Sequence, residues 1–162
     1  MSQTPYGRKD RLIREKHHDS YYEREKPSEP ARCPGCGAFY TGGRWTWTAP
    51  AEKTAPLQVH CPACRRIGDN YPAGRVEIGG EFFFGHREEI ENLVRNVEEL
   101  EKANHPLQRL LKFTPREDGA LITTTGIHLA RRIGEALARA YQGDLTVQYA
   151  DQEQSVRVYW RR

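Results

Sequence analysis

The chain carries two matched cysteine pairs and no other cysteine: Cys33-Pro34-Gly35-Cys36 and Cys61-Pro62-Ala63-Cys64. A Cys-x-x-Cys turn places two thiolates on one side of a tight knuckle, at the separation that a tetrahedral Zn²⁺ requires. Two such knuckles fill all four coordination positions, so none is left for water or substrate, which is typical of structural zinc. The sequence therefore predicts one structural Zn²⁺ bound by Cys33, Cys36, Cys61 and Cys64.

The 24 residues between the two pairs suit a zinc ribbon, in which each knuckle ends a β-hairpin. Residues 44–48 alternate as an outgoing strand should, residues 50–56 read as a loop, and residues 57–60 return to the second knuckle. A ribbon of this size has hardly any core, so we expect bound metal to supply its folding energy, on the order of 10 kcal/mol or more. We assign the ribbon to residues 32–72.

Two other uses of paired cysteines are less favoured. Disulfides need an oxidising compartment, and residues 1–9 lack the apolar core of an export signal. A thioredoxin-type redox pair lies after a strand and opens a helix, and neither pair opens a convincing helix in the sequence pattern. His60 precedes Cys61 and could replace one sulfur, but four cysteines are enough. Redox chemistry remains a residual alternative.

Composition and charge distribution indicate the class of protein. The 162 residues suit one domain of ordinary size plus a small metal module. No apolar run approaches a membrane span, which predicts a soluble, cytoplasmic protein without a membrane partner. The net charge is only +3, but Arg and Lys outnumber acids by six to two in residues 32–75, whereas acids lead by ten to six in residues 76–119. This asymmetry favours one face suited to a polyanion.

The first 31 residues have a different character from the rest. Seven basic and six acidic side chains interleave there, with few aliphatic residues. Too little apolar surface is available to offset the entropy of ordering, so we predict a disordered charged arm over residues 1–31. The alternative is an arm that orders on RNA, where Arg and Tyr contact phosphates and stack on bases.

Residues 73–162 read as an α+β domain. One strand is predicted over residues 75–78 and 81–84, bent at Gly79-Gly80, then a helix over residues 86–103 and strands over residues 107–113 and 120–124. Thr125 is predicted to cap a helix that runs to about Tyr141, and two strands follow over residues 145–149 and 156–160. The whole chain is thus predicted as α+β, with the zinc ribbon followed by a β-α-β-β-α-β-β domain.

No catalytic constellation stands out. The chain has no Gly-rich phosphate loop, no Gly-x-Ser-x-Gly elbow and no His-Glu-x-x-His helix. Residues 123–128, with three threonines before a helix and His128 in its first turn, are the most tempting segment, but a cap and a surface histidine explain them. We therefore predict a non-enzymatic protein.

Basic and aromatic side chains surround the cysteine pairs. They could offset and cover the anionic zinc–sulfur cluster, or grip phosphates and splayed bases, and the two roles are compatible. Basic residues on the second helix and at the end of the last strand could extend the same surface. The predicted RNA contacts are Arg32, Arg44, Trp45, Trp47, Arg65, Arg66, Arg131, Arg132, Arg161 and Arg162.

Several stretches together resemble a known family. The run Leu121-Ile122-Thr123-Thr124-Thr125-Gly126-Ile127-His128-Leu129-Ala130-Arg131-Arg132-Ile133-Gly134 and the end Val156-Arg157-Val158-Tyr159-Trp160-Arg161, after paired Cys-Pro-x-Cys knuckles, are the elements concerned. Together they resemble the N-terminal half of the archaeal and eukaryotic large-ribosomal-subunit export adaptor, and small uncharacterised bacterial proteins similar to it. The likeness covers roughly residues 33–162, although the adaptor carries further zinc-binding cysteines. It implies contact with ribosomal RNA through the ribbon and the basic surfaces.

These observations lead to one expectation and one alternative. We expect a non-enzymatic zinc-binding factor that associates with ribosomal RNA or the large ribosomal subunit, in assembly, quality control or dormancy. The alternative is a protein–protein interaction adaptor in stress regulation, with another protein as its partner.

Overall fold

The computed structural model describes residue 21, residues 26–150 and residues 154–162. Within these residues the fold is mixed α+β, with two sheets and four helices, which confirms the predicted fold class at that level. The arm predicted to be disordered falls mostly on residues 1–20 and 22–25, outside the described residues. None of the described helices is both long and apolar enough to cross a membrane.

The cysteine pairs lie in a small unit of short elements, residues 26–72, which we call the cysteine unit. It contains β1 (Ala31–Arg32), β2 (Phe39–Thr41), β3 (Arg44–Thr46), β4 (Leu57–Gln58) and α1 (Pro62–Asp69). The four strands form a sheet in the order β3-β2-β1-β4, in which β1 is antiparallel to β2 and parallel to β4. Because Ala31 is part of β1, which lies between β2 and β4, the sheet begins one residue before the predicted start of the ribbon at Arg32. Glu29 contributes as well, since its carboxylate accepts the N–H groups of Gly42 and Gly43 at 3.0 and 2.8 Å.

The second cysteine pair starts a helix, so the expectation that each knuckle ends a β-hairpin is wrong for this pair. Cys61 is the N-cap of α1, and its Sγ accepts the N–H of Cys64 at 3.3 Å. Pro62 occupies the start of the helix, where its fixed φ and missing N–H cost nothing. The segment is short and polar, so it carried no apolar stripe by which a helix could be recognised.

The α+β domain begins immediately after the cysteine unit. Its elements are β5 (Gly74–Gly79), α2 (Glu81–Gly85), α3 (Arg87–Asn104), β6 (Leu110–Arg116), β7 (Gly119–Thr124), α4 (Ile127–Tyr141), β8 (Asp144–Tyr149) and β9 (Val156–Arg161). The strands form one sheet in the order β6-β7-β5-β9-β8, in which only the central pair β5–β9 is parallel. Both long helices predicted from the apolar periodicity are present, as α3 and α4.

Two local predictions in this domain are wrong. Residues 81–84 form helix α2 instead of a strand, because Gly80 leaves the extended conformation at φ 100°. The helical turn separates three consecutive aromatic rings, so that Phe83 is buried and Phe84 is exposed. Thr125 is not a helix cap either: Gly126 occupies that position, and the Thr125 hydroxyl donates to the carbonyl oxygen of Leu107.

The core of the domain lies between the sheet and the two long helices. Helix α4 packs on β5, β7, β8 and β9, and α3 packs on α4. Side chains on one face of the sheet meet the apolar stripes of α3 and α4; the largest buried ones are Trp160, Phe83, Ile90, Ile122, Leu129, Ile133 and Leu137. Because side chains alternate along a strand, the residues between the core positions lie on the opposite face of the sheet.

Candidate metal centre

The four cysteines come together in one cluster. Their sulfur atoms all lie within 4.8 Å of one another, and Cys36 Sγ is 3.8 Å from Cys61 Sγ. A tetrahedral Zn²⁺ with bonds of about 2.3 Å would need sulfur–sulfur edges of about 3.8 Å, whereas a disulfide needs about 2 Å. All four thiols are free. The cluster therefore could hold one metal ion, with a four-sulfur ligand set.

Two different local structures deliver the ligands. Cys33 and Cys36 lie in a turn between β1 and β2, in which Gly37 adopts φ +82° and donates its N–H to the Cys33 carbonyl at 2.8 Å. Cys61 and Cys64 lie at the first turn of α1. The two halves are close: a Cβ on Gly35 would lie 2.9 Å from Cys64 Sγ. Glycine at this position is thus needed for the two pairs to converge.

Burial and backbone donors act in opposite directions on the thiols. Burial disfavours the thiolate of Cys33, but hydrogen bonds from the backbone N–H groups of Cys61, Cys36 and Gly35 lower its pKa to about 6. Burial raises the pKa values of Cys61 and Cys36 above that of a free thiol. A metal that binds all four sulfurs must therefore displace protons from Cys36 and Cys61, so metal affinity rises with pH.

The sequence analysis missed a fifth participant, Arg109, which is only 9% exposed. Its Nη2 donates to Cys61 Sγ at 3.3 Å and to Cys64 Sγ at 3.2 Å. Although burial lowers the pKa of this guanidinium, the hydrogen bond to Cys64 and the charges of the cysteines raise it overall, so Arg109 is a cation. Arg109 is 45 residues from Cys64 along the chain. No motif marks it, and only the surplus negative charge of a four-thiolate site could have suggested such a partner.

Arg109 suits the electrostatics of a filled site. Four thiolates around a dication carry a net charge of −2, and a guanidinium that donates to two of the sulfurs offsets part of it. The backbone of Arg109 is itself fixed, because its N–H donates to the Thr125 hydroxyl at 2.8 Å. Thr125, which was predicted to cap a helix, instead positions the residue that supports the metal centre.

The metal centre thus lies where the cysteine unit meets the α+β domain. Besides Arg109, Leu107 packs against the cysteine cluster. Trp47, just after β3, donates its indole N–H to the carbonyl oxygen of Lys102, at the end of α3, at 2.6 Å. Ligands from one unit and supporting groups from the other therefore hold the two together.

The predicted aromatic contacts have different positions. Trp45 is half-buried, packs against the cysteine cluster and lies 5.4 Å from the Tyr40 ring, centroid to centroid. Trp47 is also half-buried, but its polar edge is engaged with Lys102. Of these two tryptophans, Trp45 is therefore the one that borders the metal centre while keeping part of its surface accessible.

The predicted basic contacts near the cysteines also differ in accessibility. Arg32 and Arg44 are exposed, and Arg32 lies 5.8 Å from the centroid of the Phe39 ring. Arg65 is half-buried and donates to the Tyr21 carbonyl at 2.6 Å. Arg66 is only 5% exposed and donates to a backbone carbonyl, that of Tyr71. Arg66 therefore faces inward, unlike the exposed Arg32 and Arg44.

The remaining predicted contacts lie in the α+β domain. Arg131 and Arg132, on α4, form ion pairs of 3.5 Å with Glu135 and Glu101. Arg162 lies 4.4 Å from the centroid of the Phe82 ring and donates to a nearby carbonyl. Arg161 is exposed at the end of β9. The structure therefore does not gather the four into the surface around the cysteines.

A cavity of about 280 Å³ opens beside the cysteine cluster. None of its described lining residues is acidic, and the lining includes three aromatic rings and three cationic side chains: Tyr21, Tyr40, Trp45, Lys26, Arg44 and Arg65. His60, an alternative ligand in the sequence, also lines this cavity and is not part of the cluster of potential metal ligands. Such a lining can stack a planar group and hold an anion beside it.

Comparisons with known proteins assign no family. No protein-family model, no curated protein and no solved structure matches the chain. The resemblance to the ribosomal export adaptor therefore remains an expectation from the sequence.

Proposed function

We propose that this protein is a non-enzymatic RNA-binding factor whose cysteine cluster holds one structural Zn²⁺. Zinc is the metal of choice for a closed site of four thiolates, because soft sulfur ligands and tetrahedral geometry suit it. The observation that carries the RNA proposal is the cavity beside this site, with aromatic rings and cations and no acid among its described lining residues.

The cavity has the two features that unpaired RNA requires. A splayed base stacks on an aromatic face, and its phosphates pair with Arg or Lys. Trp45 suits the first role, because the cysteine cluster and Tyr40 hold its ring while part of it stays accessible. Arg44 suits the second, since it is exposed and has no ion-pair partner among the described residues. Bound zinc would keep these side chains in place.

Ribosomal RNA of the large subunit is the target that we propose. The support is the resemblance of the terminal unit to the ribosomal export adaptor, together with the basic character of residues 32–75. Binding at a functional site of that subunit would serve assembly, quality control or dormancy.

The test is co-sedimentation with ribosomes on sucrose gradients. The cavity variant Lys26→Glu/Arg44→Glu should lose co-sedimentation, because two cations at the cavity become acids. The matched control, Lys53→Glu/Arg87→Glu, makes the same change in charge at exposed positions outside the cavity and should co-sediment normally. Both proteins should retain one zinc per chain. Unchanged co-sedimentation of the cavity variant would refute the cavity as the contact.

Salt dependence separates RNA from a protein partner. Contacts with several phosphates release counterions, so the logarithm of the binding constant should fall linearly with the logarithm of the salt concentration. Binding that hardly responds to salt and survives ribonuclease treatment would instead favour the adaptor that binds another protein.

A further inference from the structure

The sheet of the α+β domain has a basic face opposite its helices. The register places Arg75 on β5 beside Arg157 on β9 and Thr123 on β7, and Thr123 beside Lys112 on β6. Arg116 and Arg161 lie four residues further along their strands, so they share this face. All five of these cations are exposed. We call them, with Tyr159 between Arg157 and Arg161, the basic sheet face.

Without a bound partner, the repulsion between these charges destabilises the fold. Arg75 and Arg157 are register partners on adjacent strands, and like charges placed so closely repel each other. The side chains of Arg75, Arg157 and Lys112 form no hydrogen bond or ion pair with any described residue. An anionic partner would relieve this repulsion.

Acidic residues offset the charge of this face only in part. Glu77, on β5, forms an ion pair of 3.5 Å with Arg116. Asp144 lies on the edge strand β8, as the register partner of Arg161. Among the described residues, no acid lies in the line that Lys112, Arg75 and Arg157 form. On the other side of the domain, α3 carries six glutamates against three basic residues. The basic sheet face is therefore complementary in charge to a polyanion.

Tyr159 adds an aromatic surface in the middle of the cations. It is half-buried, and Arg157 and Arg161 lie two residues to either side of it on the same face, at about 7 Å along the strand. A base stacked on this ring would have a guanidinium on each side for the neighbouring phosphates. Only an unpaired base offers its flat face in this way.

We propose that the basic sheet face binds a segment of single-stranded RNA, as a second contact distinct from the cavity of the cysteine unit. The inference shares its class of partner with the proposed function, but none of its residues lines that cavity. Either site can therefore fail without the other.

The charge test uses the zinc-loaded full chain and a fluorescein-labelled uridine RNA of about 12 nucleotides. Fluorescence anisotropy gives the Kd at several KCl concentrations. Arg75→Gln/Arg157→Gln should raise the Kd about tenfold and reduce the magnitude of the salt slope by about 1.4, because each phosphate contact with a single strand contributes about 0.7. Arg87→Gln/Arg95→Gln removes the same charge from α3 and should leave both values unchanged. A sheet variant that behaves like this control would overturn the proposal.

The stacking test replaces the tyrosine ring. Tyr159→Leu should weaken binding about tenfold, whereas Tyr159→Phe keeps the ring and should bind like the unaltered protein. Equal binding by the two variants would rule out stacking. Should the leucine variant lose its fold, ultraviolet crosslinking of the RNA to the unaltered protein gives the answer, since the adduct must map to Tyr159 if the base lies there.

Competitors and the cavity variant complete the design. A duplex RNA of the same length should compete poorly, and so should a polyglutamate peptide; equal competition by either would overturn the single-stranded RNA assignment. When the sheet substitutions are added to the cavity variant Lys26→Glu/Arg44→Glu, they should raise the Kd by the same factor as in the unaltered protein. Loss of ribosome co-sedimentation by the cavity variant does not bear on the sheet proposal. The sheet proposal is refuted if the sheet substitutions leave oligonucleotide binding intact.

Discussion

At the scale of single residues, Arg109 connects the chemistry of the metal centre to the rest of the protein. It is the described cation that donates to the cysteine sulfurs, and it comes from the α+β domain while all four ligands come from the cysteine unit. A buried cation is costly unless it is paired, so Arg109 and the thiolates depend on each other. The metal affinity of this protein should therefore depend on a residue that is not a ligand.

Arg109→Met tests that dependence. The substitution keeps much of the side-chain volume but removes the charge and both hydrogen bonds to sulfur, so the zinc affinity should fall about 10- to 100-fold. Competition with a chromogenic chelator measures the change. Arg116→Met, which removes an exposed cation at the other end of β6, should leave the affinity unchanged. An Arg109→Met protein that holds zinc as tightly as the unaltered one would show that the guanidinium does not stabilise the site.

At the scale of elements, the hairpin β2–β3 has a role beyond the cysteine cluster. The chain after β3 reaches α3 through one hydrogen bond, from the Trp47 indole to the Lys102 carbonyl. That carbonyl belongs to the last turn of the helix, where such groups lack partners within the helix. The contact thus joins the hairpin to the α+β domain and also satisfies a helix end.

Trp47→Phe should loosen this connection. The substitution keeps an aromatic ring but removes the indole N–H, so the free energy of unfolding should fall by about 0.5–1.5 kcal/mol. Urea denaturation measures it, with the zinc content at one per chain in both proteins. For comparison, Trp45→Phe removes an indole N–H that has no described partner and should cost less. If the two substitutions cost the same, the bond to Lys102 does not contribute.

At the scale of the whole molecule, the two units differ in what stabilises them. The α+β domain has a core of fourteen buried residues, whereas the cluster in the cysteine unit has three, of which two are cysteines. Burial of apolar side chains can therefore stabilise the α+β domain. The cysteine unit has few buried apolar side chains to stabilise it when its metal is absent. Bound zinc in comparable sites supplies on the order of 10 kcal/mol of folding energy.

Removal of the metal should consequently unfold one unit and spare the other. After treatment with a strong chelator, amide hydrogens of β1, β2 and α1 should exchange rapidly, while those of β5, β7 and β9 stay protected. Hydrogen–deuterium exchange with mass spectrometry resolves the two regions, and added Zn²⁺ should restore protection. Simultaneous loss across both units would mean that they fold as one. Unchanged protection everywhere would mean that the metal is not structural.

The sequence alone was sufficient for features that depend on short spacing or regular periodicity. The Cys-x-x-Cys pairs identified the four sulfurs of the cluster, since two residues between ligands hold them together in any turn or helix start. The repeat of Ile90, Leu93, Val94 and Val97 identified α3, because a helix presents every third or fourth residue on one side. These features are local, and the surrounding fold changes them little.

The tertiary structure alone decided which distant residues meet. Arg109 reaches the sulfurs across 45 residues of sequence, and Arg66 turns inward although it follows a ligand by only two positions. Cations separated along the chain, such as Arg75 and Arg157, become neighbours because β5 and β9 pair in parallel. Strand pairing and the direction of a buried side chain are properties of the folded whole, since they depend on which surfaces exclude water together. The spacing of residues along the chain does not predict these properties.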